Sequence, residues 1–384
     1  MKKIALVHDW LVGMRGGERV FEVLCDLYPQ ADVYTLAYEP SHVSETIRKM
    51  KIHTPWSTRH IGFLRRHYRW LLPLMPDIIE DFKLDGYDLV ISTSHCVAKG
   101  VRVPEDTPHL CYCFTPMRYL WDKYDDYFGS YRKLASWIMP FFAGSLRRWD
   151  VSTVAGIRQF ITSSEYVRER IRRHYSREAI VVPPPVECAR FAGPRHPEDF
   201  FLTVGALEPY KRIDVAIKAC SRLNIPLKVA GTGSEFKALS RLAGSKTEML
   251  GFVSDADVAD LMSRARCLLF PSDEDFGIVP LEAAAAGCPV IAYGHGGALE
   301  TVVDGQTGLF FAEQTPESLM EAISRFAPEN FDESVMRNHA ALYDYPVFRE
   351  KMSELITALS SADRTIKFQS VGMAAKEMTG DVSE

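Results

Sequence analysis

Two glutamates, Glu274 and Glu282, bracket a short turn, Phe276-Gly277-Ile278, that opens onto a run of alanines. Pro280 suits the first turn of a helix, the alanines propagate it, Gly287 suits its C′ position and Pro289 forbids continuation. The spacing therefore predicts a short helix over 279–286, with Glu274 on the loop before it and Glu282 in its early turns. The amides of Phe276, Gly277 and Ile278 then fan out between two carboxylates. Carboxylates accept hydrogen bonds from vicinal diols, while amides and the helix dipole hold phosphate. A ligand with hydroxyls at both ends and phosphates between fits this layout, and a nucleotide sugar has that form. Acidic residues also favour helix starts on electrostatic grounds alone, so the pair does not decide the matter by itself.

Two further glycine-rich turns follow apolar runs: Gly13-Met14-Arg15-Gly16-Gly17-Glu18 after Val7, and Gly231-Thr232-Gly233 after Val229. Each is either a tight strand-to-helix connection or part of a phosphate cradle. The first does not follow the dinucleotide glycine spacing, which argues against a dehydrogenase. His95, at the carboxyl end of the run 88–93, is a candidate for contacting a sugar or an acceptor, although a lone histidine is more often structural.

The elements that must position these residues are legible in the alternation of short apolar runs with amphipathic stretches. Runs at 4–7, 32–36, 88–93, 109–114 and 160–163 precede a proline cluster, Pro183 to Pro185. The pattern then restarts at 201–204, 227–230, 248–250, 267–270, 290–292 and 308–311. Strands alternating with helices imply parallel sheets covered on both faces, hence an α/β chain of two doubly wound, Rossmann-like domains. The boundaries read as 1–184, 185–344, and 345–384 for a terminal helix and a frayed tail. In such sheets ligands collect beyond the carboxyl ends of the strands, where the glycine turns lie.

Bulk properties agree. At 384 residues the chain exceeds what one core usually serves. Its 47% hydrophobic and 25% charged residues describe a globular protein, and the net charge of −5 argues against a nucleic-acid binder. The apolar N-terminal run is too short for a signal peptide, and no run is long enough to span a membrane. The eight cysteines are scattered without metal spacing, so reduced core thiols, a cytoplasmic location and no metal site are expected.

Glu274, seven residues, then Glu282, within Pro-Ser-x-Glu-x-Phe-Gly and before Ala-Ala-Gly-Cys-Pro-Val-Ile-Ala, resembles the donor-binding signature of the family 4 retaining glycosyltransferases. The resemblance continues through Gly205 to Arg212, Gly231 to Gly233, Gly296 to Glu300 and Asp304 to Gly308. His8-Asp9-Trp10, Gly16-Gly17-Glu18-Arg19 and Thr115 to Trp121 are similar to a bacterial mannosyltransferase-like branch of surface-polysaccharide assembly. The resemblance implies a GT-B architecture, in which two Rossmann-like domains face across a cleft and a C-terminal helix over 345–360 braces the first. It implies that Glu274 contacts hydroxyls of the donor sugar and Glu282 the ribose. The amides of Phe276, Gly277 and Ile278 would meet the sugar and distal phosphate. Lys211 would neutralise the diphosphate, and the Gly16-Gly17 turn would close over it. Gly231 and Gly233, with Phe252 and Val253, would surround the base. No metal is implied, because basic side chains and helix N-termini stabilise the departing diphosphate.

The chain departs from the family pattern twice. Ala206 stands where an arginine is usual, and Phe114 where the related branch commonly has a histidine. Arg15 or Arg212 are the cations available to compensate, although Arg212 should point away from Lys211. The reading implied is transfer of a hexose, with mannose from GDP-mannose first, to a saccharide or lipid-linked saccharide. A UDP-sugar transferase or epimerase, and a catalytically weak sugar-nucleotide-binding subunit, remain as alternatives. Residues 64–72 and 137–149 interleave basic and aromatic side chains. They read equally well as a peripheral contact with the inner face of an anionic membrane or as amphipathic helices packed on the first domain.

Overall fold

Continuous aliphatic burial sets the two sheets. The computed structural model describes residues 2–56, 72–122 and 134–361. Ile4–His8 (β1) is buried at every position, as is required of a strand with helices on both faces. It is followed by Asp32–Thr35 (β2), Lys51–His53 (β3), Leu89–Ser94 (β4), His109–Cys113 (β5), Gln159–Thr162 (β6) and Ala179–Val181 (β7). These form a seven-stranded parallel sheet in the order β3-β2-β1-β4-β5-β6-β7. Phe201–Val204 (β8), Leu227–Ala230 (β9), Thr247–Gly251 (β10), Cys267–Phe270 (β11), Val290–Tyr293 (β12) and Gly308–Phe311 (β13) form the second, in the order β10-β9-β8-β11-β12-β13. The expected strands appear with their ends within one residue of the expected bounds. β3 and β7, three residues each at the two sheet edges, were not expected, because an edge strand has little apolar patterning to show.

The helices that matter for the site are Gly16–Leu27 (α1), Leu134–Ser152 (α2), Glu165–Tyr175 (α3), Asp255–Arg264 (α4), Ile278–Ala285 (α5) and Tyr345–Ser361 (α6). α5 begins one residue earlier than the sequence suggested; Ala286 caps it and Gly287 follows at φ 71°, the left-handed conformation that ends helices. Phe348, Met352, Ile356 and Leu359 of α6 are buried in one cluster with Leu6, Ile91, Leu110 and Tyr112 of the first sheet. The expected frayed tail and most of the basic aromatic stretch 64–72 lie outside the described residues.

The strand order reverses between β1 and β4 in the first sheet and between β8 and β11 in the second. These switch points are where parallel sheets open a crevice beyond the strand ends. His8, Asp9 and His95 lie at one, and Gly205 to Lys211 with Pro271 to Ile278 at the other.

Candidate active site

The second domain supplies the turn that opens α5. Gly277 adopts φ 88° and caps α5, so the chain turns sharply and the amides of the first helical turn point out of the helix start. Gly297 packs so closely on this loop that an added Cβ would lie 2.2 Å from the Phe276 Cα, and its amide donates to the Glu274 carbonyl at 2.8 Å. The loop carrying Glu274 is thereby fixed from behind.

Lys211 ends the turn Pro209–Lys211, and its ammonium group pairs with the Glu274 carboxylate. Arg212 takes the left-handed conformation at φ 51°, which sends its side chain away to Asp214 and Gln314. Its side chain thus points away from Lys211, as the sequence suggested. Arg15 is exposed on the first domain's glycine turn, and its charge acts on Tyr210, the neighbour of Lys211.

Glu282 accepts from Arg190 Nη2 at 2.6 Å. Arg190 also bonds Asp255 at 3.0 Å, and Asp255 accepts from Arg19 of α1 at 2.9 Å, so a chain of charges crosses between the domains. Burial pushes the Glu282 carboxyl up to about 7 against the pull of Arg190. Neither Arg190 nor Asp255 was singled out in the sequence; both are brought to Glu282 by tertiary packing alone.

Gly231 and Gly233 have a packing role. A Cβ on Gly231 would fall 1.8 Å from the Gly205 carbonyl oxygen, and one on Gly233 2.3 Å from that of Leu207. The turns after β8 and β9 interlock there, and only glycine permits that approach. Phe252, on the loop after β10, is 82% exposed, while Val253 packs against the second-domain core.

The first domain faces this loop with its own glycine turn. A Cβ on Gly16 would meet Ile278 Cδ1 at 2.8 Å, and one on Gly17 would meet the Phe114 ring at 3.3 Å. Phe114 thus fills the space beneath the turn. Below it His8 is buried, with Nδ1 2.6 Å from Thr93 Oγ1 and Nε2 4.0 Å from Glu18. Burial alone would raise the Glu18 carboxyl, but the facing His8 imidazole and a backbone amide outweigh it and hold it below the ordinary range. His95 is a third exposed, sits edge-on to Trp10 at 4.5 Å and lies 6.3 Å from the Phe114 ring. Its Nδ1 is 3.1 Å from the buried carboxylate of Asp9.

The structure thus brings Lys211 to Glu274, Gly16 to Ile278 and Phe114 beneath Gly17, whereas Glu282 is engaged by Arg190. Two doubly wound domains, each presenting a glycine turn at its switch point, define a GT-B protein. Over residues 189–341, within its second domain, the chain matches the family model described as glycosyl transferases group 1.

Among curated relatives, an α-1,3/1,6-mannosyltransferase ALG2 of Mus musculus is 24% identical over 82% of this chain and 85% of its own length. An uncharacterized glycosyltransferase of Methanocaldococcus jannaschii is 32% identical over 43% of this chain, and the match spans about half, 48%, of that protein. Among solved structures, sucrose-phosphate synthase from Thermosynechococcus elongatus superposes with a TM-score of 0.74 at 18% identity, covering 94% of this chain and all of that one. Anabaena HepE in complex with UDP does so with a TM-score of 0.67 at 15% identity, covering 93% and 100%. At these identities the structural likeness speaks to the fold.

Proposed function

We propose that the chain is a retaining hexosyltransferase that uses a nucleotide sugar, with GDP-mannose as the first donor to consider, and a saccharide or lipid-linked saccharide as acceptor. The observation that carries this reading is the Lys211–Glu274 pair at the mouth of the α5 amides, facing the Gly16-Gly17 turn. The donor diphosphate would lie along those amides, with Lys211 against its charge and Glu274 released to the sugar hydroxyls. Glu282 would take the ribose by exchanging its Arg190 bond for hydroxyl donors, and exposed Phe252 would flank the base with Val253.

Departure of the diphosphate develops negative charge where a cation and preorganised amides already point, which lowers the barrier without a protein nucleophile. Arg15 would supply the charge missing at Ala206, and His95 would stand near the transferred sugar where the related branch carries a histidine at position 114. The reading assigns no metal to this step. The mannosyltransferase name of the mouse relative supports mannose. The UDP in the HepE complex supports a UDP-sugar as the second reading.

A membrane-delivered acceptor is supported by α2, where Phe141 is 85% exposed beside exposed Phe142 and Arg148. Among the described residues no helix is long and apolar enough to cross a membrane. Calorimetric titration of GDP-mannose, UDP-glucose and UDP-N-acetylglucosamine, with Glu274→Ala in parallel, tests the reading. Selective binding of one donor, weakened by the substitution, is expected; binding of none would remove the donor site.

A further inference from the structure

Asp275 follows Glu274 directly, yet its side chain turns toward the other domain. Its Oδ1 accepts from Arg118 Nη2 at 2.8 Å and from Arg170 Nη1 at 2.7 Å. Its carbonyl accepts from Ser164 Oγ at 2.5 Å. Arg118, Ser164 and Arg170 all belong to the first domain.

Arg170 is nearly excluded from solvent and is held within its own domain by Asp122, which accepts from its Nε at 2.8 Å. Asp122 is in turn 3.1 Å from His174 Nε2, whose ring stacks on Trp121 at 4.8 Å. The guanidinium is therefore preorganised, whatever the second domain does, with one edge aimed across the cleft. A second contact lies beside the first. Glu300 accepts from the amides of Glu165 and Tyr166 at 2.9 and 3.0 Å, so a second-domain carboxylate caps the start of α3. Glu300 follows the Gly296-Gly297 loop that clamps the Glu274 carbonyl.

We infer that Asp275 is a positioning residue, an interdomain latch that ties domain closure to the placement of Glu274 in the donor loop. Charge-assisted bonds from two guanidiniums, that of Arg170 held in place by Asp122, to one largely buried carboxylate are strong and directional. They are made only when the domains are together. Closure therefore pulls on the residue next to Glu274, and an open cleft leaves the loop held from the second domain alone. A misplacement of about 1 Å costs roughly 10²-fold in rate. Asp275 itself touches no substrate in this scheme.

The kinetic half of this inference rests on the transferase reading; the closure half does not. The test is small-angle scattering of the whole chain as wild type, Asp275→Asn and Arg118→Gln, together with donor affinity and turnover. Arg118→Gln removes one of the two guanidinium bonds from the opposite domain, so a folding defect peculiar to one variant does not decide the outcome. Both variants are expected to show a larger radius of gyration and a turnover at least tenfold lower, with donor affinity within threefold of wild type. Glu317→Gln, which removes an exposed ion pair with Arg222 within the second domain, is the control expected to change none of these. An unchanged radius of gyration in both variants overturns the latch, whatever the turnover. A donor affinity that falls as far as in Glu274→Ala overturns the positioning role and makes Asp275 a donor ligand. If no nucleotide sugar binds any form of the protein, the transferase reading fails and the scattering alone decides the latch.

Discussion

The carboxylate of Asp9 lies 3.1 Å from Nδ1 of His95 and also accepts from the backbone amides of His95, Cys96, Val97 and Ala98. A fully buried charge is thus surrounded by donors, and it holds the imidazole with Nδ1 as its own partner. Asp9→Asn places an NH2 group against amide donors and should cost at least ~2 kcal/mol of stability, read by thermal melting. His95→Ala leaves those four amides satisfied, so its melting temperature should stay near wild type while turnover falls. A melting temperature that drops equally in both variants would make His95 a structural residue.

Lys211 and Glu274 pair and neutralise one another beside the start of α5. Lys211→Ala and Glu274→Ala should each lower turnover by ~10²-fold or more, the scale of one preorganised electrostatic contact. Because the two touch, the double variant should lose less than the product of the single losses. Steady-state rates with saturating donor measure this. A loss under threefold at either position refutes its role.

Glu282 predicts a pH dependence with a definite sign. Burial, and to a lesser degree Asp255, raise its carboxyl to about 7 although Arg190 draws it down. The folded value lies above the ordinary 4.5, so the folded chain keeps a proton that the unfolded chain releases. The stability from this group is present below that ordinary value and is lost as pH rises through about 7. In the proposed ribose contact hydroxyls would donate to the ionised form, so GDP-mannose should bind several-fold more tightly at about pH 8 than at about pH 6, by up to tenfold per proton and pH unit. In Glu282→Gln the two affinities should be equal. A pH-independent wild type would separate Glu282 from the ligand.

The alternation of apolar runs was enough to read two parallel sheets, because strands buried on both faces carry their pattern in contiguous residues such as Ile4 to Val7 and Cys267 to Phe270. The helix after Gly277 was legible for the same local reason, since proline, alanine and glycine each act on their own turn of chain. What was not legible depends on pairs far apart in sequence. Arg190 reaches Glu282 across 92 positions and Arg118 reaches Asp275 across 157. Lys99 pairs with Asp150, which also accepts from Trp121 and Tyr175. Charged residues of this kind look like solvated surface until the fold buries them. The glycines at 231 and 233 were visible as a turn, but their reason, the approach of the Gly205 and Leu207 carbonyls, belongs to a neighbouring strand end.

Gly16 offers a test of the closed cleft that leaves every charged group in place. Its φ is not in the left-handed region, so the constraint there is space: a Cβ would lie 2.8 Å from Ile278 Cδ1 across the domain boundary. Alanine can be met by a rotation of the isoleucine tip, but Gly16→Val adds two methyl groups beyond the Cβ that the tip cannot avoid. Valine is a better helix former than glycine at the start of α1, so the variant should fold and melt at or above the wild-type temperature. Its turnover should nevertheless fall by about tenfold or more, because the glycine turn can no longer seat on the donor loop. Ile278→Ala removes the obstructing atom, and the double variant should recover most of the loss. A double-mutant cycle on turnover should therefore report a coupling of about 0.5–3 kcal/mol, the range for residues in contact. Additive losses would mean that the two residues do not meet when the enzyme turns over, and that the closed arrangement of the domains is not the working one.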